Sequence, residues 1–130
     1  LKLAGNSAAN WSDRKHFFHA AAEAMRHILI DRARRRLRIR HGENAGQIGL
    51  GDVEIAAPEK EEILLELDDA LVELTALSPE RAEIVKLRFF AGLKEVEIAD
   101  VLGMSERSVQ RQWNYTRAWL FARMEARKKS

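Results

Sequence analysis

The chain predicts an all-α fold, and three observations carry that expectation. Residues 92–115 have the spacing of a helix-turn-helix. Apolar residues recur near every 3.6 positions between Phe17 and Ala33 and again between Ile63 and Leu74, the period of a helix buried on one side. Pro58 and Pro79 each stand where a proline opens a helix, with glutamates directly behind them at the positive end of the helix dipole.

Taken in order, residues 1–10 are a polar, glycine-containing lead without an initiator Met, read as the interior of a longer chain. Ser12 or Asp13 can cap a long helix whose stripe is Phe17, Phe18, Ala21, Ala22, Met25, Ile28, Leu29 and Ala33. Trp11, just before that start, suits a staple onto the core better than an exposed stacking platform. The helix ends in six arginines within nine residues, Arg32 to Arg40, with Gly42 as a stop. Such a run reads either as a solvated helix end or, better, as a surface that tracks phosphates through Arg34, Arg35, Arg38 and Arg40.

Between residues 42 and 57 the periodicity disappears and glycines at 42, 46, 49 and 51 interleave with polar residues, as in a flexible linker. Pro58 opens the next helix, with Ile63, Leu64, Leu67, Leu71 and Leu74 as its core stripe, and its acidic residues read most simply as a solvated face. Ser78-Pro79-Glu80 opens another, running through Ile84, Val85, Leu87 and Phe89 to a stop at Gly92. The C-terminal unit, residues 58–130, is therefore four helices, the last two forming a helix-turn-helix over 94–124.

Within that pair, Ile98, Ala99 and Leu102 share a face, Gly103 can take the left-handed conformation that ends a helix, and Ser105 can cap the next. Ala99 permits close approach, and Val109 fills the angle between the helices. Val109, Trp113, Leu120 and Met124 form the inward stripe of the second helix, which turns Arg107, Gln110, Arg111 and Asn114 outward. Arginine pairs with guanine and glutamine or asparagine with adenine in the major groove, while Ser108 and the helix N-terminus suit phosphate oxygens. A plain helical hairpin with a solvated polar face is the alternative. Its weakness is the sign of the charge, because no acidic residue lies between Arg107 and Arg123.

A net charge of +2 conceals a segregation. Residues 1–41 hold 10 Lys/Arg against 3 Asp/Glu, residues 42–100 hold 5 against 15, and residues 101–130 hold 7 against 2. Two basic ends thus flank an acidic middle, as expected of two nucleic-acid contacts separated by a part that faces something else. There is no cysteine, hence no disulfide frame and no thiolate metal site. His16 and His19 are three apart but lack companions for a tetrahedral set, and His27 and His41 lie elsewhere, so no metal and no cofactor are expected. No apolar run approaches the roughly 20 residues of a membrane span, so a soluble, cytoplasmic protein without a membrane contact is expected.

Three blocks in this order resemble a known family: the run from Trp11 to Arg36, the segment Leu87-Arg-Phe-Phe-Ala-Gly-Leu93, and Trp113-Asn-Tyr-Thr-Arg-Ala-Trp-Leu120. Together they resemble a bacterial sigma-70 family factor of the extracytoplasmic-function (ECF) class, across nearly the whole chain. The resemblance implies that residues 1–41 are the C-terminal part of sigma domain 2, whose Arg34, Arg35, Arg38 and Arg40 would hold the minus-10 element. It implies that residues 58–130 are sigma domain 4, whose Arg107, Ser108, Gln110, Arg111, Asn114, Tyr115 and Arg117 would read the minus-35 element. Promoter DNA and core RNA polymerase are the implied partners, with an anti-sigma factor as a further one. Lys94 stands where such factors often carry a capping Ser or Thr, and Gln110 and Asn114 stand where Arg is frequent, which implies a different preferred minus-35 sequence.

A sigma factor directing RNA polymerase to promoters accounts for both basic ends, the acidic middle and the linker. A helix-turn-helix regulator that does not work through core polymerase accounts for the second half alone. An enzyme such as a recombinase would need a nucleophile beside a base, and no such pairing stands out. One further expectation concerns the stripe at residues 17–33. Large apolar side chains gain roughly 1.5–3 kcal/mol each on full burial, so this helix should fold back on the C-terminal helices of its own chain or on a second copy, as a dimer.

Overall fold

The computed structural model describes residues 7–40 and 58–128, with side chains over 12–40 and 60–127. Five helices make up these residues: α1, Ser7–Arg40; α2, Pro58–Leu77; α3, Pro79–Val85; α4, Glu95–Leu102; and α5, Glu106–Lys128. α3 runs on without a break into one π-helical turn, Lys86–Phe90. The linker expected at residues 42–57, the stop at Gly42 and the side chain of Trp11 fall outside the described residues.

Local signals start and stop the C-terminal helices where the sequence places them. α2 opens at Pro58. Ser78 caps α3, its Oγ accepting the Arg81 backbone N–H at 3.3 Å, with Pro79 at the first helical position. The π turn closes at Gly92, which takes φ of 74° so that the Leu93 N–H can reach the Leu87 carbonyl at 3.0 Å. These helices surround one core in which Leu71, Ile84, Leu87, Ile98, Val101 and Val109 are fully buried.

α1 departs from expectation at its start. It begins at Ser7, so Ser12, Asp13 and Trp11 lie inside the helix, and neither Ser12 nor Asp13 caps it. Residues 7–10 are helical rather than an irregular lead, because Ser7-Ala8-Ala9 contains no breaker and alanine has the strongest helix propensity.

As expected, α1 folds back onto the C-terminal helices, but it is rotated from the anticipated stripe. Ala22, Ile30 and Ala33 are buried, with Phe18 and Leu29 beside them, whereas Phe17, Met25 and Ile28 are exposed. Small side chains let α1 approach closely, and charged ones flank the contact. Glu23 meets the buried Lys86 of the π turn at 2.7 Å. Arg26 Nε donates to Asp68 of α2 at 2.6 Å, and Arg36 and Arg40 reach Glu61 of α2 at 3.8 and 2.9 Å. Outer pairs join Arg14 to Asp100 and His19 to Glu83.

The acidic face of α2 is thus not simply solvated: Glu61 and Asp68 are buried against α1, and Asp69 and Glu73 pair with Arg127 and Arg123 of α5. Where α1, α2 and α5 diverge, an apolar groove of about 750 Å³ opens over Leu29, Leu64, Leu67, Trp113 and Met124.

Burial pushes the Glu23 carboxyl up, but the hydrogen bond from Lys86 and the charges of Lys86, Arg26 and His19 outweigh it and hold the pKa below the ordinary carboxylate value. A depressed native pKa contributes stability that is complete above the unfolded-state value and disappears as pH falls through the native one. Urea denaturation across the acid range should show stability declining below the ordinary carboxylate pKa. Glu23→Gln should flatten that decline, and an unchanged profile in the variant would remove Glu23 from the account.

Candidate nucleic-acid interface

The candidate interface begins with how α4 and α5 are fixed to each other. Arg88, in the middle of the π turn, donates from Nη1 to the Leu93 carbonyl at 3.4 Å and lies over the Trp113 ring at 5.5 Å, tying the approach to α4 onto α5. α4 starts at Lys94 without a capping hydroxyl, and the Lys94 backbone N–H donates to Glu97 Oε1 at 2.7 Å instead. Glu97 thereby supplies the reciprocal half of a capping box, satisfying the Lys94 N–H, whereas a Ser or Thr at residue 94 would accept an N–H of the first turn.

At its far end Gly103 takes φ of 69°, and the Met104 N–H returns to the Ala99 carbonyl at 3.0 Å. Ser105 Oγ accepts the Ser108 N–H at 3.0 Å to open α5. Ala99 and Val109 are buried in the angle between the helices. The corner joins α4 to α5, and α5 continues to Lys128, beyond the expected end at residue 124.

This corner divides α5 into two faces. Val109, Thr116 and Leu120 are buried, with Trp113 and Met124 partly buried beside them. Thr116 fills the gap that the inward stripe leaves between Trp113 and Leu120. Arg107, Gln110, Arg111, Asn114, Tyr115 and Arg117 are all exposed, and Ser108, half-buried, accepts from Arg111 Nη2 at 3.5 Å. Arg107, Arg111 and Asn114 follow one another at helical spacing, so their side chains share one side of the helix.

Two residues outside the expected set adjoin this face. Gln112 is half-buried, and its Oε1 accepts from Arg81 Nε of α3 at 2.7 Å. The Arg81 guanidinium also lies 4.3 Å from the centroid of the Tyr115 ring. Gln112 could have been found, because it sits between the inward stripe and the outward set. Arg81 could not, since only tertiary structure carries it to α5.

The arginine run of α1 is divided. Arg34, Arg35 and Arg38 are exposed, whereas Arg40 is half-buried with Nη2 2.9 Å from Glu61. Among the described residues no group of three His, Cys, Asp or Glu side chains is placed to hold a metal ion, and no helix is long and apolar enough to cross a membrane.

A family model for ECF sigma factors matches residues 1–126 of the chain. No curated protein and no solved structure matches it.

The corner itself is open to measurement. Gly103→Ala forces a side chain into left-handed backbone and should lower stability by about 1 kcal/mol. The urea midpoint should fall with the slope of the transition unchanged, and an unshifted midpoint would mean that the turn relaxes freely.

Proposed function

Because the chain belongs to the ECF sigma factor family, we propose that its helix-turn-helix reads the minus-35 element of promoters while the arginine-rich end of α1 holds DNA at the minus-10 element. The family membership gives the coarse function: a sigma factor acting in transcription initiation, with core RNA polymerase and promoter DNA as partners. In the finer reading residues 1–41 belong to sigma domain 2 and residues 58–130 form sigma domain 4.

The observation that carries the minus-35 assignment is the exposed set Arg107, Gln110, Arg111, Asn114, Tyr115 and Arg117. It lies opposite a fully buried Val109 on a rigid corner, in a stretch without acidic residues. Arg111 supplies a bidentate donor fork for guanine, Gln110 and Asn114 can each pair with adenine, and Ser108 and Arg117 suit phosphates.

Exposed Arg34 and Arg35 supply cations to a phosphate backbone without rearrangement, and Arg38 is exposed along the same run. Arg40 reaches a phosphate only by leaving Glu61. The apolar groove beside α1, edged by Arg32, Lys60 and Arg117 with Arg36 paired to Glu61, would suit an anti-sigma factor that offers an apolar helix face.

Transcription from promoter templates by purified core polymerase separates this reading from that of a regulator independent of polymerase. Adding the chain should produce specific initiation, and Arg111→Ala should cost about 1–3 kcal/mol in binding the preferred duplex but much less on scrambled DNA. Equal affinity of wild type and variant for both duplexes would exclude α5 as the reader. Replacing Arg34 and Arg35 by Gln should reduce the slope of log K against log salt on forked minus-10 DNA by about 0.7–0.9 for each phosphate no longer neutralised. An identical slope would make the run a solvated helix end.

A further inference from the structure

We propose that Arg81, which lies outside the helix-turn-helix, is a positioning residue for promoter reading: it aims the Gln112 amide and steadies the Tyr115 ring, and thereby sets which base Gln112 prefers. The proposal rests on the reading of α5 as the helix that meets DNA bases.

A glutamine amide ordinarily presents an acceptor oxygen and a donor nitrogen and can turn either outward, which is why it suits the paired donor and acceptor of adenine. Here that freedom is restricted. Guanidinium only donates, so the atom that Gln112 turns toward Arg81 must be its oxygen, and Nε sits 2.7 Å from Oε1. The amide nitrogen, with both its hydrogens, is left as the part of the amide that Arg81 does not engage. A glutamine held in this manner favours acceptors: guanine O6 and N7, or thymine O4.

Arg81 is itself well held. Its backbone N–H is bound by the Ser78 cap, and its guanidinium lies 4.3 Å from the centroid of the exposed Tyr115 ring, one helical turn beyond Gln112 on α5. Among the described residues no carboxylate pairs with Arg81, so its hydrogen bond to Gln112 and its contact with Tyr115 are its side-chain interactions there. One cation from α3 thus orients the half-buried Gln112 and the exposed Tyr115, which border the outward set of α5. Lysine is a poorer replacement, because an ammonium cannot donate to Gln112 from a planar group that also lies against the Tyr115 ring.

The test is affinity selection of a random duplex library with the whole chain as wild type, Arg81→Met, Arg81→Lys, Gln112→Met, and the double variant Arg81→Met with Gln112→Met. Thermal melting should show that each is folded. Wild type should prefer guanine or thymine at one base pair, and Gln112→Met should lose that preference. Both Arg81 variants should lose discrimination at the same pair by about five- to tenfold while preferences elsewhere persist. The double variant should be no worse there than either single one, as expected of residues that act as one unit.

The proposal is overturned if the Arg81 variants keep the preference. It is equally overturned if Arg81→Met weakens all sequences alike with a shallower salt dependence and Arg81→Lys restores binding, since Arg81 is then a phosphate contact. A wild-type chain that selects no sequence at all would overturn the reading of α5 together with this proposal, and that result is distinct from both others.

Discussion

The association of α1 with the rest of the chain depends on one constraint: charges that leave water must be paired. Lys86 and Asp68 are both buried, and an unpaired ion in such a place carries a desolvation penalty of several kcal/mol. Glu23 and Arg26, three apart on α1, meet these two groups from one side of the helix. The contact therefore combines matched charge positions with the apolar packing of Ala22, Phe18 and Leu29 against the core. With these pairs made, α1 turns Ala22, Ile30 and Ala33 inward and leaves Phe17, Met25 and Ile28 outside. Facing a partner with fixed ions, the helix takes the rotation that matches them.

The same constraint gives the acidic middle of the chain a structural purpose. Glu61 and Asp68 face the arginines of α1, while Asp69 and Glu73 face those of α5. Glu73 shows how firmly: the hydrogen bond from Arg123 leads, and despite some desolvation the hydrogen bond from Arg127 and both positive charges add to it, holding the carboxyl below its ordinary value. α2 is thus an acidic rib between two basic helices. Arg34 and Arg35 on α1 and Arg107, Arg111 and Arg117 on α5 also face outward, away from these pairs with α2.

How much of this was legible in the sequence follows the distance over which each feature is determined. The Ala99, Gly103, Ser105 and Val109 corner could be read in advance because each residue acts within a few positions of itself: a close approach, a left-handed turn, a cap, a plug. Pro58 and the Ser78 cap were legible for the same reason. The start of α1 was not, because Ser12 and Asp13 are acceptable caps and only the absence of a breaker after residue 6 lets the helix continue upstream. Nor was the rotation of α1, since Phe17 and Met25 fit an apolar stripe as well as Ala22 does. Thr116 was missed because a hydroxyl was not counted as a core side chain, yet it is fully buried in line with Leu120. Arg81 beside Gln112 is the extreme case: the pair is 31 positions apart, and no periodicity connects them.

The two ends of the chain differ in the kind of recognition they can perform. On α5 the outward side chains are held by a corner with buried Val109 behind it, so their spacing is rigid and suited to base edges, where a donor or acceptor must fall within a few tenths of an ångström. On α1 the arginines lie on long, flexible stems along one helix, suited to phosphates that repeat without regard to sequence. Glu61 adds a condition to the second kind. It already holds Arg40 at 2.9 Å, so a phosphate approaching Arg40 competes with a carboxylate for one guanidinium. Moving Arg40 to DNA would leave Glu61, a buried carboxylate, with the longer contact from Arg36 at 3.8 Å as its remaining ion pair among the described residues. In the proposed role, full use of the arginine run is therefore coupled to water reaching Glu61, and so to loosening of α1 from α2 at that end. Arg34 and Arg35 carry no such coupling: they can meet DNA while α1 stays packed, and Arg40 only as it begins to leave.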